Sequence, residues 1–297
     1  DEEILKYLCD WFDGHIKKGL PQKTINTMCP FLTLAFLYEK TGRRDYLDLC
    51  EQWAEWLYND LPRTQEQGFV HKTGSSNDGQ LWMDTLFVAV LFLAKCGVML
   101  GKKEYVEEAQ RQFIVHTKYL TDTSTGLFFH GYTFIGRNNF SRARWGRGNG
   151  WYAIAVPELF CIVGGKMENV AKEVIGESFK TLMKSLIEYQ DEESGMWHTL
   201  IDDSSSYLES TGTTAFTYGM LKGIELGLLG GEYAPAAQRA LAAIIERTDS
   251  DGTVRDASGG TPIFDTAEEY KTVVKVPIVY EQGMAMMLYS ICGGNAE

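Results

Sequence analysis

The chain has 297 residues, of which 44% are apolar and 12% aromatic, so a sizeable core can be buried; a single barrel-type domain reaches this size. A formal net charge of −12 argues against nucleic acid or an anionic membrane as the main partner. No apolar run approaches the roughly 18 residues that a membrane span needs, and the greasiest stretch, 86–96, is broken by Lys95 and reads as a buried helix. The six cysteines form no CxxC or other metal spacing and are expected to be buried free thiols, which favours a reducing compartment. The sequence starts at Asp1 with neither Met nor a signal-peptide pattern; a leader removed earlier is compatible with this, so cytoplasm and periplasm both stay open.

Taken in chain order, helical spacing dominates. Leu8, Phe12, His15 and Ile16 share a face, as do Leu34, Leu37 and Tyr38, then Trp53, Trp56 and Leu57, then Leu86, Val90, Leu93 and Ala94. Small hairpins are predicted around 128–130 and 196–200. Two landmarks recur. A glycine stop followed by a charged first turn ends at Tyr46, Tyr105 and Tyr233. A turn followed by an aromatic or branched run ends at His71, His130, His198 and Arg255, at spacings of 59, 68 and 57 residues. A period with two helices in it means stacked helical hairpins, about ten helices in about five pairs. The period alone fits an open solenoid or a closed ring equally well. No break in composition divides residues 1–297, so one domain is expected, with function on the long aromatic loops 121–146 and 249–277.

Two segments carry chemistry. In QLWMDTLFVAVLFL, Asp84 opens a very apolar helix two residues after Trp82. Acids favour a helix start for purely structural reasons, yet a carboxyl walled by aromatic groups is also expected to be desolvated, held protonated near neutral pH and able to donate a proton. The loop NNFSRARWGRGNGWY sets Arg142, Arg144 and Arg147 among Trp145 and Trp151, with Gly146, Gly148 and Gly150 keeping the backbone slim. Arginine binds carboxylates bidentately, tryptophan faces stack on sugar rings, and glycine lets a ligand come close. The loop histidines lack metal spacing and are expected to serve in structural or substrate hydrogen bonds, while Asp191, Asp202 and Asp203 read as solvated turn acids. No phosphate-binding glycine loop or hydrolase nucleophile motif is present.

These segments, together with PFLTLAFLYEKTG from Pro30, GFVHKTG from Gly68, TGLFFHGY from Thr125, YQDEESGMWHTLID from Tyr189 and LESTGTTAFTYGMLKGI from Leu208, resemble the unsaturated rhamnogalacturonyl and glucuronyl hydrolases of glycoside hydrolase family 105, with family 88 as its relative. The resemblance covers nearly the whole chain. It implies an all-α (α/α)6 barrel that removes a 4,5-unsaturated uronic acid from the non-reducing end of lyase-generated oligosaccharides, its substrate partner. An Asp protonates the fourth carbon of the vinyl ether, water adds at the fifth, and the resulting hemiketal opens. No metal or organic cofactor is implied, and one acid/base group suffices, without the carboxylate pair of ordinary glycosidases. By resemblance Asp84 is catalytic, His130, Trp145, Arg147 and Trp151 contact substrate, and His71 and Lys72 belong to a further contact stretch; Trp82 and Arg144, beside these residues in the sequence, are expected to contact substrate as well.

Two departures accompany the resemblance. A second acid of the family falls here at Asn26, which can hydrogen-bond but not titrate. The family's ring has twelve helices, so the first hairpin is expected to be missing. The alternatives are another enzyme on the same toroid (an epimerase, a lyase, or a conventional glycosidase drawing a second carboxylate from Glu209, Asp265 or Glu281) and a carbohydrate-binding protein without catalysis.

Overall fold

The computed structural model describes residues 2–73 and 77–293. Its helices alternate between two layers. The inner layer is α2 (Cys29–Thr41), α4 (Leu91–Leu100), α6 (Gly146–Val163), α8 (Ser210–Glu225) and α11 (Val279–Gly293), each packed on the next in that order. The outer layer is α1 (Glu2–Lys18), α3 (Arg44–Asn59), α5 (Lys103–Leu120), α7 (Asn169–Glu188) and α9 (Ala234–Glu246). Outer helices bury one stripe: α3 uses Tyr46, Cys50, Trp53, Ala54 and Leu57 at spacings of three and four. Inner helices are covered on most sides, and α6 buries nearly every residue from Gly146 to Leu159. A single turn, α10 (Ala267–Tyr270), interrupts the loop between α9 and α11.

The two sequence landmarks fall where a hairpin repeat puts them. Gly42 and Gly101 end α2 and α4 in the left-handed conformation, with φ of 68° and 69°, and Tyr46 and Tyr105 then sit in the first turns of α3 and α5. The second landmark forms the loop from each outer helix to the next inner one. Four equivalent backbone bonds hold it: Thr64 N–H to Gly68 O, Asp122 N–H to Leu127 O, Asp191 N–H to Met196 O, and Asp249 N–H to Thr253 O. This register aligns Phe69, Phe128, Trp197 and Val254. It therefore aligns His71 with His130 and with Thr199, and His198 falls one position short. Side chains alternate along such extended stretches, so His198 faces away and its Nδ1 meets the Ser206 carbonyl. The predicted equivalence of the three histidines holds for two.

The array is a ring rather than an open solenoid. In a solenoid each repeat touches only its neighbours. Here His130, ahead of α6, reaches Tyr270, ahead of α11, and Arg147 on α6 reaches the carbonyls of Ser258 and Gly259. The tightest part of the wall is the crossing of α6 and α8. A Cβ on Gly150 would stand 2.7 Å from the Ala215 Cβ, and one on Gly212 would stand 3.1 Å from the Gly146 carbonyl carbon. Gly146 and Gly150 of RWGRGNGWY thus serve helix-to-helix approach, where the sequence suggested room for a ligand, while a Cβ on Gly148 would lie 3.1 Å from the Trp145 ring and 3.8 Å from that of His130.

Short strands seat the loops on the ring. β1 (Gln80–Trp82) pairs antiparallel with β2 (Gly131–Thr133), setting Trp82 opposite Gly131, and β2 pairs with β3 (Asn138–Ser141). β4 (Trp197–His198) pairs with β5 (Leu208–Glu209). The hairpins expected at 128–130 and 196–200 appear here, shifted by a residue or more. All six cysteines are free, but only Cys50 and Cys96 are buried, while Cys29 and Cys161 are exposed.

Candidate active site

Asp84 lies between β1 and a π-helical turn, 86–90, that leads into α4. Such turns concentrate at functional positions, because the extra residue re-aims the side chains around it. The Trp82–Gly131 pairing brings the next residues alongside His130, whose carbonyl accepts from the Met83 N–H at 3.4 Å. On the other side, the His71 ring lies flat on Trp82, with centroids 4.4 Å apart and planes 9° apart, and its Nδ1 is 2.9 Å from the Thr85 hydroxyl. Asp84 is thereby flanked by two histidines from equivalent loops of neighbouring repeats.

His130 is held at both nitrogens. Its Nε2 lies 3.4 Å from Oδ2 of Asp84 and its Nδ1 lies 2.5 Å from the Tyr270 hydroxyl. That hydroxyl also accepts from the Phe264 N–H at 3.2 Å and lies 2.8 Å from Oγ of Ser141. Trp145, the residue before α6, packs on His130 at 4.5 Å and on Tyr270 at 6.0 Å. The Arg147 guanidinium is sandwiched between Trp145 and Tyr280, 4.3 and 4.6 Å from the ring centres, and donates to Ser258 O, Gly259 O and the Thr261 hydroxyl. His71, His130, Trp145 and Arg147 are almost wholly buried and form the floor, whereas the Asp84 side chain keeps 18% of its surface open to solvent and Trp82 is half-buried.

Three buried polar atoms without a full protein partner meet here: Oδ2 of Asp84, Nε2 of His130 and Nε1 of Trp145. The 3.4 Å contact between the first two is too long for a good N–H···O bond, so it is an electrostatic pairing first. Unpaired buried groups cost on the order of 1–3 kcal/mol each, and a cluster of them marks a place where a ligand's hydroxyl or carboxylate is satisfied instead.

The electrostatics correct one expectation. Burial alone pushes the Asp84 carboxyl up, as the sequence suggested, but the His130 contact, the Arg147 charge and the two histidines once charged in acid together outweigh it and hold the carboxyl at about 2. Asp84 is therefore a carboxylate at neutral pH in this structure. His71, desolvated, is pushed down to about 4 and is neutral at pH 7. Neither Glu209 nor Glu281 spends its oxygens on Asp84: Glu209 accepts from the N–H groups of Thr211, Gly212 and Ser258, and Glu281 from the Thr214 hydroxyl; Asp265 is exposed.

The remaining sequence candidates spread outward. Trp151 stacks on Phe87 of the π-helical turn at 4.9 Å and so backs the site from α6. Asn26 is exposed in a short turn that packs against the π-helical turn, and the adjoining Ile25 N–H bonds to the Lys72 carbonyl; the Lys72 ammonium faces Asp78 at 3.4 Å. Arg144 is ion-paired with Asp202 and lies 3.8 Å from Asp122, away from Asp84, and Asp203 pairs with Lys271, so Asp202 and Asp203 are not free turn acids. Sequence reasoning missed Tyr270, Ser141 and Tyr280. Tyr270 sits in AEEY, where no motif singles it out, and only a capping box at Thr266 and Glu269 signals the turn that carries it.

Comparison with known proteins places this geometry in a lineage. The profile of glycosyl hydrolase family 88 matches residues 1–292. The unsaturated rhamnogalacturonyl hydrolase YesR of Bacillus subtilis is 32% identical over 290 residues, covering 96% of this chain and 82% of that protein. A solved structure of a possible glycoside hydrolase family 105 member from Salmonella enterica serovar Paratyphi A superposes with a TM-score of 0.97 at 38% identity, over 100% of this chain and 79% of that one. A second, from Klebsiella pneumoniae, superposes at 0.95, also 38% identical, over 99% and 78%. The match runs through every helix of the ring and both site loops, and the chain belongs to glycosyl hydrolase family 88.

Proposed function

We propose that this chain, acting as one domain, hydrolyses the 4,5-unsaturated uronic acid from the non-reducing end of lyase-generated oligosaccharides, with Asp84 as the proton donor. The observation that carries the reading is Asp84 itself: a solvent-reachable carboxylate against His130, floored by Trp145 and Arg147 and walled by the Trp82–His71 stack. Its strongest electrostatic partners are His130, His71 and Arg147, and Glu209 and Glu281 are bound elsewhere. This favours one acid/base group over the carboxylate pair of a conventional glycosidase.

In the cycle, an anionic sugar ring lies on Trp82 over the buried Arg147. A second carboxylate brought beside Asp84 opposes its ionisation, so the Asp84 proton affinity rises as substrate binds. Asp84 gives its proton to the fourth carbon, water attacks the fifth, and the Asp84 carboxylate takes the proton of that water back. The hemiketal opens and frees the following sugar. His71, His130, Trp145, Arg147 and Trp151 shape the floor, Asn26 and Lys72 stand at the rim, and Arg144 holds the loop through Asp202. The test is a screen of pectin, glycosaminoglycan and ulvan oligosaccharides made by lyases, following loss of the double-bond absorbance. Turnover by wild type but not by Asp84→Asn supports the reading; binding of these sugars without turnover would instead support a carbohydrate-binding role.

A further inference from the structure

The Tyr270 hydroxyl is buried among three groups whose hydrogen-bond roles can be counted. A phenol donates once and accepts twice. The Phe264 N–H can only donate, so it takes one acceptor site of the oxygen. One donor and one acceptor site remain for Nδ1 of His130 and Oγ of Ser141. Burial pushes the phenol up to about 12, so it keeps its proton at neutral pH. Two arrangements satisfy all partners. Either Tyr270 donates to Nδ1 and accepts from Ser141, or it donates to Ser141 and accepts from an Nδ1–H.

The far side of the ring decides between them. In neutral His130 the second arrangement leaves a lone pair on Nε2 pointing at the Asp84 carboxylate 3.4 Å away, which is repulsive in a buried setting. The first puts an N–H there. We infer that Tyr270 is a positioning residue that donates to Nδ1 of His130 and so locks its Nε2–H tautomer toward Asp84. Tyr270 is placed for this by construction: it ends α10, whose capping box joins Thr266 to Glu269, and its ring is wedged between Phe264 at 5.1 Å and Trp145 at 6.0 Å. His130, like His71 beside the Thr85 hydroxyl, differs from the other three histidines. Nδ1 of His15, His116 and His198 each faces a backbone carbonyl, which accepts only, so those rings carry their proton on Nδ1.

The tautomer is independent of what the protein hydrolyses; only its kinetic consequence rests on the proposed reaction. The test is long-range proton–nitrogen NMR of the full chain labelled in its histidines, with His130→Gln to assign the ring. Wild type is expected to show a bare Nδ1 and a protonated Nε2 at His130. Tyr270→Phe keeps the ring packing and removes the donor, and is expected to lose that single tautomer. Ser141→Ala leaves Tyr270 its His130 target and is expected to retain it. With an unsaturated oligosaccharide as substrate, Tyr270→Phe is expected to lower kcat about tenfold or more with KM within about twofold, the pattern of a group acting in the transition state. A proton on Nδ1 of His130 in wild type overturns the inference without any variant, as does an unchanged tautomer in folded Tyr270→Phe. Absence of turnover by wild type, with the tautomer as stated, would sink the proposed reaction and leave this inference standing.

Discussion

Nε2 of His130 and Oδ2 of Asp84 face each other at 3.4 Å, close enough for strong coupling and too far for a complete hydrogen bond. The pair is poised to admit a reacting group between them. Asp84→Asn keeps the shape and removes the titration, so it is expected to cut kcat by about 10²–10⁴-fold or more while far-UV circular dichroism stays unchanged. Loss of double-bond absorbance on a lyase-digested oligosaccharide measures it, and turnover at the wild-type rate would show that Asp84 is not the proton donor.

Low pH is expected to destabilise the fold in two stages. His71 and His116 are both buried and pushed by desolvation from the ordinary 6.5 to about 4. Between those values the unfolded chain binds protons that the folded chain refuses, so stability rises with pH and is lost as the pH falls from 6.5 toward 4, by about 3 kcal/mol for each ring. Asp84 acts lower down. Its carboxyl is held at about 2, so its stabilisation of about 2 kcal/mol is present above pH 4 and disappears as the pH drops through 2. Urea unfolding at pH 7 and pH 4.5 measures the first stage. Between those two pH values His116→Gln, far from Asp84 in function, is expected to gain about 3 kcal/mol less stability than wild type, whatever the other groups contribute; an equal gain would mean that His116 charges freely in the fold.

The helical hairpins were legible because their signals are local: a glycine stop, a charged first turn, and a turn-plus-aromatic loop every sixty residues or so. His71 and His130 were legible for the same reason, since equivalent loops carry both. The ring was legible only through the family resemblance, because what draws the array round is a set of side-chain contacts between distant loops, such as His130 with Tyr270, that no periodicity encodes. Asp84 was found from its aromatic neighbours, but its charge state was misjudged, since the sequence shows the apolar helix and hides the histidine across the strand pair. Two of the glycines of RWGRGNGWY misled in the opposite way: slimness was read correctly, but at Gly146 and Gly150 its beneficiary is Gly212 and Ala215 of α8, and only Gly148 lies against Trp145 and His130. Arg144 and Arg147 look alike in sequence, yet register alone sends one to Asp202 and the other under the site.

The loop register makes a stability prediction. Gly126, Gly195 and Gly252 occupy the same left-handed position two residues before Phe128, Trp197 and Val254, with φ of 76°, 71° and 88°. Before Phe69 that position is Gln67, with φ of 65°. A residue with a Cβ is strained there by about 1–2 kcal/mol, offset in part by the larger chain entropy of glycine. The Gln67 backbone carbonyl, which accepts from Arg63, Arg111 and Gln112, survives the substitution. Gln67→Gly is therefore expected to stabilise the fold by about 0.5–1 kcal/mol with activity unchanged, and Gly126→Ala to destabilise it, since the new Cβ meets Ser185 Oγ at 2.7 Å in a left-handed backbone. Chemical denaturation of the two variants against wild type decides the matter; a less stable Gln67→Gly would mean the glutamine side chain contributes more than its strain.

Glu281 offers the sharpest stability test, because its sign is the reverse of Asp84's. It lies fully buried on α11, accepts from the Thr214 hydroxyl at 2.7 Å, and has an Oε2 with no partner. Burial, with the field of Glu209 adding to it, pushes the carboxyl up to about 8, so the folded chain keeps a proton that the unfolded chain releases above about 4.5. The unfolded state is favoured by this release, and stability falls as the pH rises from 4.5 through 8. A glutamine is neutral at every pH and can still accept from Thr214. Glu281→Gln is accordingly expected to be close to neutral at pH 4.5 and to raise stability by roughly 3 kcal/mol at pH 7, since each factor of ten in proton affinity is worth about 1.4 kcal/mol. Thermal unfolding of the variant and wild type at pH 5 and pH 8 separates the outcomes. A gain that grows with pH fits a buried neutral acid. A loss at pH 8 would mean that Glu281 is ionised in the fold and stabilised by the charge of Arg147, which acts on it.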